Sequence, residues 1–259
     1  MRAPCRPCLL AAALAALLLA APAQALDAQA LYEKVKGSMV VVYRMANDNR
    51  AVGLGSGFAV GDGTLVVTTQ QMVSSASSYV VLKTAEGNLL RDVKVLRVSV
   101  ESDLAILKIP VALPPMELSP GPAQVGQEVA AVGTPKGVEG LLTTGVVSGV
   151  RTYKNWPIKG LIQTTAPFYK GSTGSPLMDG QGRVVGVVNS YVKDGQNLNF
   201  AVPVEILRRL LGRDLAPAGG SVPAASDTPA APAGQSSGSL EVKTAPDGSI
   251  TIIQQRPKQ

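Results

Sequence analysis

The stretch GSTGSPLMDGQGRVVGVVNS, residues 171–190, carries the pattern that decides the fold. A short extended piece, Pro176–Met178, runs into the turn-forming string Asp179-Gly180-Gln181-Gly182, and an apolar run follows from Val184 to Ser190. Two short segments meeting at a glycine-rich turn read as neighbouring β-strands. The same pattern recurs outward in both directions. Toward the N-terminus, extended runs fall near residues 40–43, 57–60, 65–69, 79–83, 93–98 and 104–109, and then near 129–133, 141–150 and 161–164. Toward the C-terminus one more lies near 198–202. Turn strings such as Gly61-Asp62-Gly63 and Glu86-Gly87-Asn88 fill the gaps. Many short strands at about ten-residue spacing predict an all-β sandwich or barrels, not alternating βαβ units.

A proline-rich junction from Pro110 to Pro122 divides the strands into two sets. Prolines remove backbone donors and favour extended chain, which suits a crossover between two β units. A short helix is expected at each end of the strand region. Asp27 can cap the first, over 27–36, with Leu31 and Val35 as its apolar face. The second runs over 204–212, after Pro203, with Leu207, Leu210 and Leu211 on one side and Gly212 as its stop.

The first 25 residues combine basic Arg2 and Arg6, an apolar run of 13 residues from Leu9 to Ala21, and the small-residue triplet Ala23-Gln24-Ala25. This order predicts a secretory signal peptide cleaved before Leu26. As a helix the run would be roughly 20 Å long, too short for a hydrocarbon core of about 30 Å. A secreted or periplasmic chain, and not an integral membrane protein after cleavage, is therefore expected. Cys5 and Cys8 both leave with the leader, so the mature chain has no cysteine for a disulfide, and the whole sequence has no histidine. Loss of Arg2 and Arg6 leaves 22 basic against 18 acidic residues, a net charge of +4. Scattered Lys and Arg without interleaved aromatic residues do not form a nucleic-acid footprint. With no His or Cys and no calcium-loop spacing of carboxylates, neither a metal nor another cofactor is expected.

Residues 215–239 are rich in Ala, Pro, Gly and Ser, the composition of a linker. The tail, 240–259, regains alternation at Leu240–Lys243 and Ile250–Ile252 around Ala245-Pro246-Asp247-Gly248, a hairpin pattern. A lone hairpin is marginal in water, which leaves three readings of the tail: docked on the main body, waiting for a partner, or disordered.

Several motifs in order resemble one family. Gly55-Ser56-Gly57-Phe58, Asp103-Leu104-Ala105-Ile106-Leu107-Lys108, Ala131-Val132-Gly133-Thr134-Pro135, Thr144-Gly145-Val146-Val147-Ser148, Ile162-Gln163-Thr164, Gly171-Ser172-Thr173-Gly174-Ser175-Pro176-Leu177 and Asn199-Phe200-Ala201-Val202-Pro203 are similar to strings of the HtrA/Deg-type trypsin-like serine proteases. The resemblance implies a double six-stranded β-barrel over residues 26–214. Barrel one would span about 38–112, barrel two about 123–203, and the final helix about 204–212. After that too few residues remain for the PDZ domain that the family often carries. A tight turn remains the plainer reading of Gly53, Gly55 and Gly57.

The resemblance also places the family's histidine, aspartate and serine at Gln71, Asp103 and Thr173. Histidine takes the serine proton while aspartate orients the histidine. A carboxamide has no useful basicity near neutral pH, and threonine adds a methyl at the point of attack. Only Asp103 is kept, and a hydrogen bond from the Gln71 amide to it is expected, with the Thr173 hydroxyl alongside. The oxyanion loop maps to Gly171, Ser172 and Gly174, while Ser175 stands where the family has a second glycine. Phe168, Tyr169, Lys170, Val187, Val188, Asn189, Ser190 and Tyr191 map to the walls of the substrate cleft. For Val187 and Val188, barrel core is an equal reading. The implied function is a degenerate protease, a pseudoprotease, that binds an unidentified protein or peptide client. Two alternatives stay open: residual hydrolysis through Thr173, with Lys170 as a substitute base, and a scaffold that acts through its tail.

Overall fold

The computed structural model describes residues 26–74, 78–133, 140–153, 158–189, 199–212, 240–244 and 250–254. The expected leader, the linker 215–239, Ser190 and Tyr191 lie outside the described residues. Among these residues no helix is long and apolar enough to cross a membrane.

Helix α1, Ala28–Val35, opens with the Asp27 carboxylate accepting from Ala30 N–H at 3.0 Å, and it buries Leu31 and Val35. The first set of strands is β1 (Met39–Ala46), β2 (Arg50–Val60), β3 (Leu65–Thr68), β4 (Ser78–Thr84), β5 (Leu89–Leu90), β6 (Lys94–Ser99) and β7 (Leu104–Lys108). Their order is β5-β4-β1-β2-β3-β7-β6, and the seam between β5 and β6 is spanned by residues 91–93 of the chain itself. The second set is β8 (Glu128–Gly133), β9 (Leu141–Arg151), β10 (Leu161–Thr164), β11 (Pro176–Met178), β12 (Val184–Asn189) and β13 (Asn199–Pro203). These six close into a barrel in the order β10-β13-β12-β11-β8-β9. Helix α2, Val204–Leu211, follows at once and buries Leu207 and Leu211.

The glycines of β2 correct the turn reading. Gly53, Gly55 and Gly57 all lie within one eleven-residue strand paired to β1. A Cβ at Gly55 would stand 2.9 Å from Met72 Sδ and 3.1 Å from the Thr173 carbonyl oxygen. Glycine is there because other chain approaches the strand closely, not because the strand turns.

The junction 110–122 laces the two units together. Leu113 N–H donates to Gly63 C=O at 2.9 Å and Met116 N–H to Ala59 C=O at 2.8 Å, both on the first unit. Ser119 N–H then donates to Val184 C=O at 2.9 Å, and Val184 N–H returns to Glu117 C=O at 2.8 Å. One apolar cluster joins Phe58, Leu104 and Ile106 of the first unit to Ala130, Met178 and Val187 of the second, with Leu31 of α1 and Leu207 of α2 in it. The tail forms strands β14 (Leu240–Thr244) and β15 (Ile250–Gln254), an antiparallel hairpin. β15 also pairs with β2, Ile250 opposite Ala51 and Thr251 opposite Arg50.

Leu207 and Arg209 lie two positions apart on α2 and differ in exposure. Leu207→Ala should lower unfolding stability by about 2–5 kcal/mol through the cavity it leaves. Arg209→Ala should stay within about 0.5 kcal/mol. Urea denaturation of both variants checks the contrast.

Candidate functional site

The site lies where the two units meet. β3 ends at Thr68, and Gln70–Met72 then form a single 3-10 turn that brings Gln71 back toward the start of β7. Asp103 sits just before β7 with a φ of +49°, a left-handed conformation that Asp tolerates better than most residues. It lets both halves of the residue accept from one turn. Gln70 N–H donates to the Asp103 carbonyl at 3.2 Å, and Gln71 N–H donates to Oδ1 at 3.2 Å. The hydrogen bond expected from the Gln71 side chain is present: Nε2 donates to Asp103 Oδ2 at 3.0 Å. From the other side of the turn, Arg44 Nη1 donates to the Gln71 carbonyl at 2.9 Å and fixes its position.

Asn189 supplies a third side of the arrangement. Its Nδ2 donates to Asp103 Oδ2 at 3.1 Å from the last position of β12. Sequence reasoning had placed Asn189 in the cleft wall. The available signal was a polar residue closing an apolar run, since a buried amide needs a partner. Burial pushes the Asp103 carboxyl above its ordinary value, and the donors from Gln71, Gln70 and Asn189 oppose that shift without cancelling it. Because the folded value lies above the unfolded one, Asp103 favours folding at acid pH. That contribution is lost as pH rises through its titration.

Thr173, 8% exposed, sits in a tightly tied loop. Its carbonyl accepts from Ser56 N–H at 2.8 Å, and Ser56 Oγ donates to the Gly171 carbonyl at 2.8 Å. Ser172 N–H donates to Tyr169 C=O at 2.8 Å, and Ser172 Oγ accepts from Tyr169 N–H at 3.2 Å. Gly174 has φ +89°, and a Cβ there would lie 2.1 Å from the Ser56 carbonyl oxygen, so no other residue fits. Gly171 also has positive φ, at +102°. Ser175 does not share that conformation, so its backbone has no need of glycine. Among the described residues its buried Oγ has no hydrogen-bond partner, and a Cβ at Gly133 would lie 2.6 Å from it.

The cleft-wall expectations divide. Val187 and Val188 are fully buried and pack in two apolar clusters of the barrel, which corrects their placement in the wall. Alternating residues of a strand inside a closed barrel have no free face to offer. Only the backbone of Val188 reaches the site, its carbonyl accepting from Gly174 N–H at 2.9 Å. Phe168 is partly buried against the Val129 and Ile162 cluster, while Tyr169 is half exposed and Lys170 is exposed at the loop tip. Two clefts of about 460 and 480 Å³ lie elsewhere, and Gln71, Asp103 and Thr173 line neither. Among the described residues no group of three His, Cys, Asp or Glu could hold a metal ion.

This arrangement, a turn, an aspartate and a glycine-flanked hydroxyl at the junction of two β units, is that of a trypsin-like peptidase. The family model for the trypsin-like peptidase domain matches residues 55–187, just over half of the chain, and the chain belongs to that family. Its relatives carry HtrA/Deg-type serine protease names. It is 34% identical over 167 residues to Protease Do-like 1, chloroplastic, of Arabidopsis thaliana, covering 59% of this chain and 37% of that protein. It is 32% identical over 162 residues to the "Probable periplasmic serine endoprotease DegP-like" of Pseudomonas fluorescens, covering 60% of this chain and 34% of that protein. The chain thus spans little more than a third of the length of these two curated relatives. The crystal structure of Deg5 superposes with a TM-score of 0.61 at 28% identity, covering 73% of this chain and 93% of that one.

Two outcomes follow from the geometry. The Asp103 carboxyl, followed by carbon NMR, should titrate above the ordinary value of about 3.9. Gln71→Leu, which removes one donor to the carboxylate, should move it higher still; a midpoint at or below the ordinary value contradicts the burial argument. Ser175→Ala should raise stability by about 1–3 kcal/mol by removing an unpaired buried hydroxyl, measured as an upward shift in the urea midpoint.

Proposed function

We propose that this chain is an exported trypsin-fold pseudoprotease that binds extended peptide or protein segments in the cell envelope without cleaving them. The observation that carries the reading is the Gln71 Nε2 bond to Asp103 Oδ2 at 3.0 Å. In an active member a histidine donates to that carboxylate through one nitrogen and takes the nucleophile's proton on the other. With one N–H committed to Asp103, the Gln71 amide has left a second N–H, which can only donate, and a carbonyl oxygen, which accepts no proton from an alcohol near neutral pH. The sequence holds no histidine that could substitute. Lys170, the other candidate base, is exposed at its loop tip, whereas lysines that act as general bases are desolvated.

Nucleophile and base act as a unit, so losing both costs about as much as losing one. What survives such a loss is a residual rate about 10³–10⁴-fold over water. Retention of the loop ties around Thr173 supports binding as the use of the site. An extended segment can pair with exposed strand edges there by β-augmentation. The leader pattern of residues 1–25 supports export, and the cell envelope is the compartment this reading assigns.

The purified chain lacking its leader is incubated with unfolded casein and with a fluorophosphonate probe. No fragments and no labelling are expected, while fluorescein-labelled unfolded casein should show a saturable rise in polarisation. Turnover that disappears in Thr173→Ala would overturn the pseudoprotease reading. Fluorophosphonate labelling of the Gln71→His, Thr173→Ser double variant reports whether the remaining groups are still in register.

A further inference from the structure

Strand β2 has one edge fully used and one edge shared among three chain segments. The used edge pairs with β1 from Ala51 to Phe58, with a register shift at Val52 between the Gly53–Arg44 and Ala51–Met45 pairs. Along the other edge β3 takes Phe58–Val60, the Thr173 carbonyl takes Ser56 N–H, and β15 takes Arg50 and Ala51. Among the described residues no strand pairs with Val52–Leu54 on that edge. Strand groups alternate from edge to edge. Since Ser56 N–H faces the Thr173 side, Leu54, two residues back, presents its N–H and C=O to the same side. A short stretch of strand edge therefore lies between Thr173 and the docked tail.

The tail is held lightly. Two residue pairs join β15 to β2, against five between β15 and β14. The direction of pairing sets Ile250, the first residue of β15, nearer to Thr173 than Gln254 is. The tether from Gly212 to Leu240 has 27 residues between its ends. By composition, an Ala/Pro/Gly/Ser linker of that length gives an effective concentration in the mM range, enough to populate a weak ladder and too little to lock it. Ile250-Thr251-Ile252-Ile253 is rich in β-branched residues, the composition of a strand that adds to an edge.

We propose that the outer edge of β2 from Arg50 to Leu54 is a single strand-acceptor edge, held in the free chain by its own tail and yielded to an extended client. A client strand that enters beside Thr173 and pairs with Leu54 runs into β15 as it extends toward Arg50. Binding and tail docking then exclude one another, and the tail sets a threshold that weak or short segments do not pass. This inference rests on the peptide-binding reading above.

The test uses the full chain without its leader and a Thr251→Pro variant, since proline at that position removes a ladder donor and breaks the pairing with Arg50. Amide hydrogen exchange should accelerate at Arg50 and Ala51 in the variant and stay unchanged at Phe58–Val60. Fluorescein-labelled unfolded casein should bind the variant about tenfold more tightly, a change of about 1.4 kcal/mol. A synthetic peptide of residues 239–256 should compete with the casein in both forms. In the unaltered chain saturating casein should slow exchange at Val52–Leu54 and accelerate it across Ile250–Gln254. Equal casein affinity in the two forms, with exchange showing the tail released, overturns the shared edge and leaves peptide binding standing. Unchanged exchange at Arg50 and Ala51 also overturns it. Absence of casein binding in both forms overturns this inference and the peptide-binding reading together.

Discussion

Burying a carboxylate where two β units meet is unfavourable in itself, and the surrounding chain is arranged to offset that penalty at Asp103. The turn after β3 supplies a backbone N–H and a side-chain amide, and the end of β12 supplies a second amide. Gln71 and Asp103 belong to the first unit and Asn189 to the second, so one acceptor group pins both. A buried polar network of this kind stabilises a specific arrangement only when each member is satisfied. The Gln71 amide keeps an N–H donor facing the carboxylate. An imidazole and a carboxamide meet the same structural demand here, an N–H facing the carboxylate, so the joint between the units does not depend on which of the two supplies it.

The Thr173 loop follows the same logic. Its two positive-φ glycines, Gly171 and Gly174, are kept, and the close approach of Gly174 to Ser56 explains why. The resemblance places a serine at Thr173 and a glycine at Ser175, so the departures it implies lie at side chains: a methyl at the one and a hydroxymethyl at the other. Backbone architecture is the part that the two units depend on for their contact, since Ser56 of β2 bonds to both Gly171 and Thr173.

Much of the strand pattern was legible because apolar alternation and glycine turns are local signals. The segments read near 65–69, 104–109 and 176–178 correspond to β3, β7 and β11 to within a residue at either end. β2 was read too short, because three glycines at alternate positions look like turns until the Met72 sulfur and the Thr173 carbonyl are placed beside them. In the site, the Gln71–Asp103 pair followed from the resemblance together with the rule that buried polar groups find partners. The role of Asn189 and the hold of Arg44 on the turn did not, for they depend on which strand ends face each other across the units. Val187 and Val188 show the limit from the other side. Position in a motif suggested a wall, and the closed barrel absorbed both side chains.

The proline-rich junction has a bearing on how the two units persist as a pair. Between Pro110 and Pro115 it is largely exposed, yet Leu113 within that stretch and Met116, Glu117 and Ser119 after it bond through the backbone to Gly63, Ala59 and Val184. The covalent link and the physical link are therefore separable. A chain nicked at Val111 would retain the shared apolar cluster and the flanking hydrogen bonds, so its halves would stay associated as a noncovalent complex. The same exposed prolines are the place where an inserted loop would disturb neither unit.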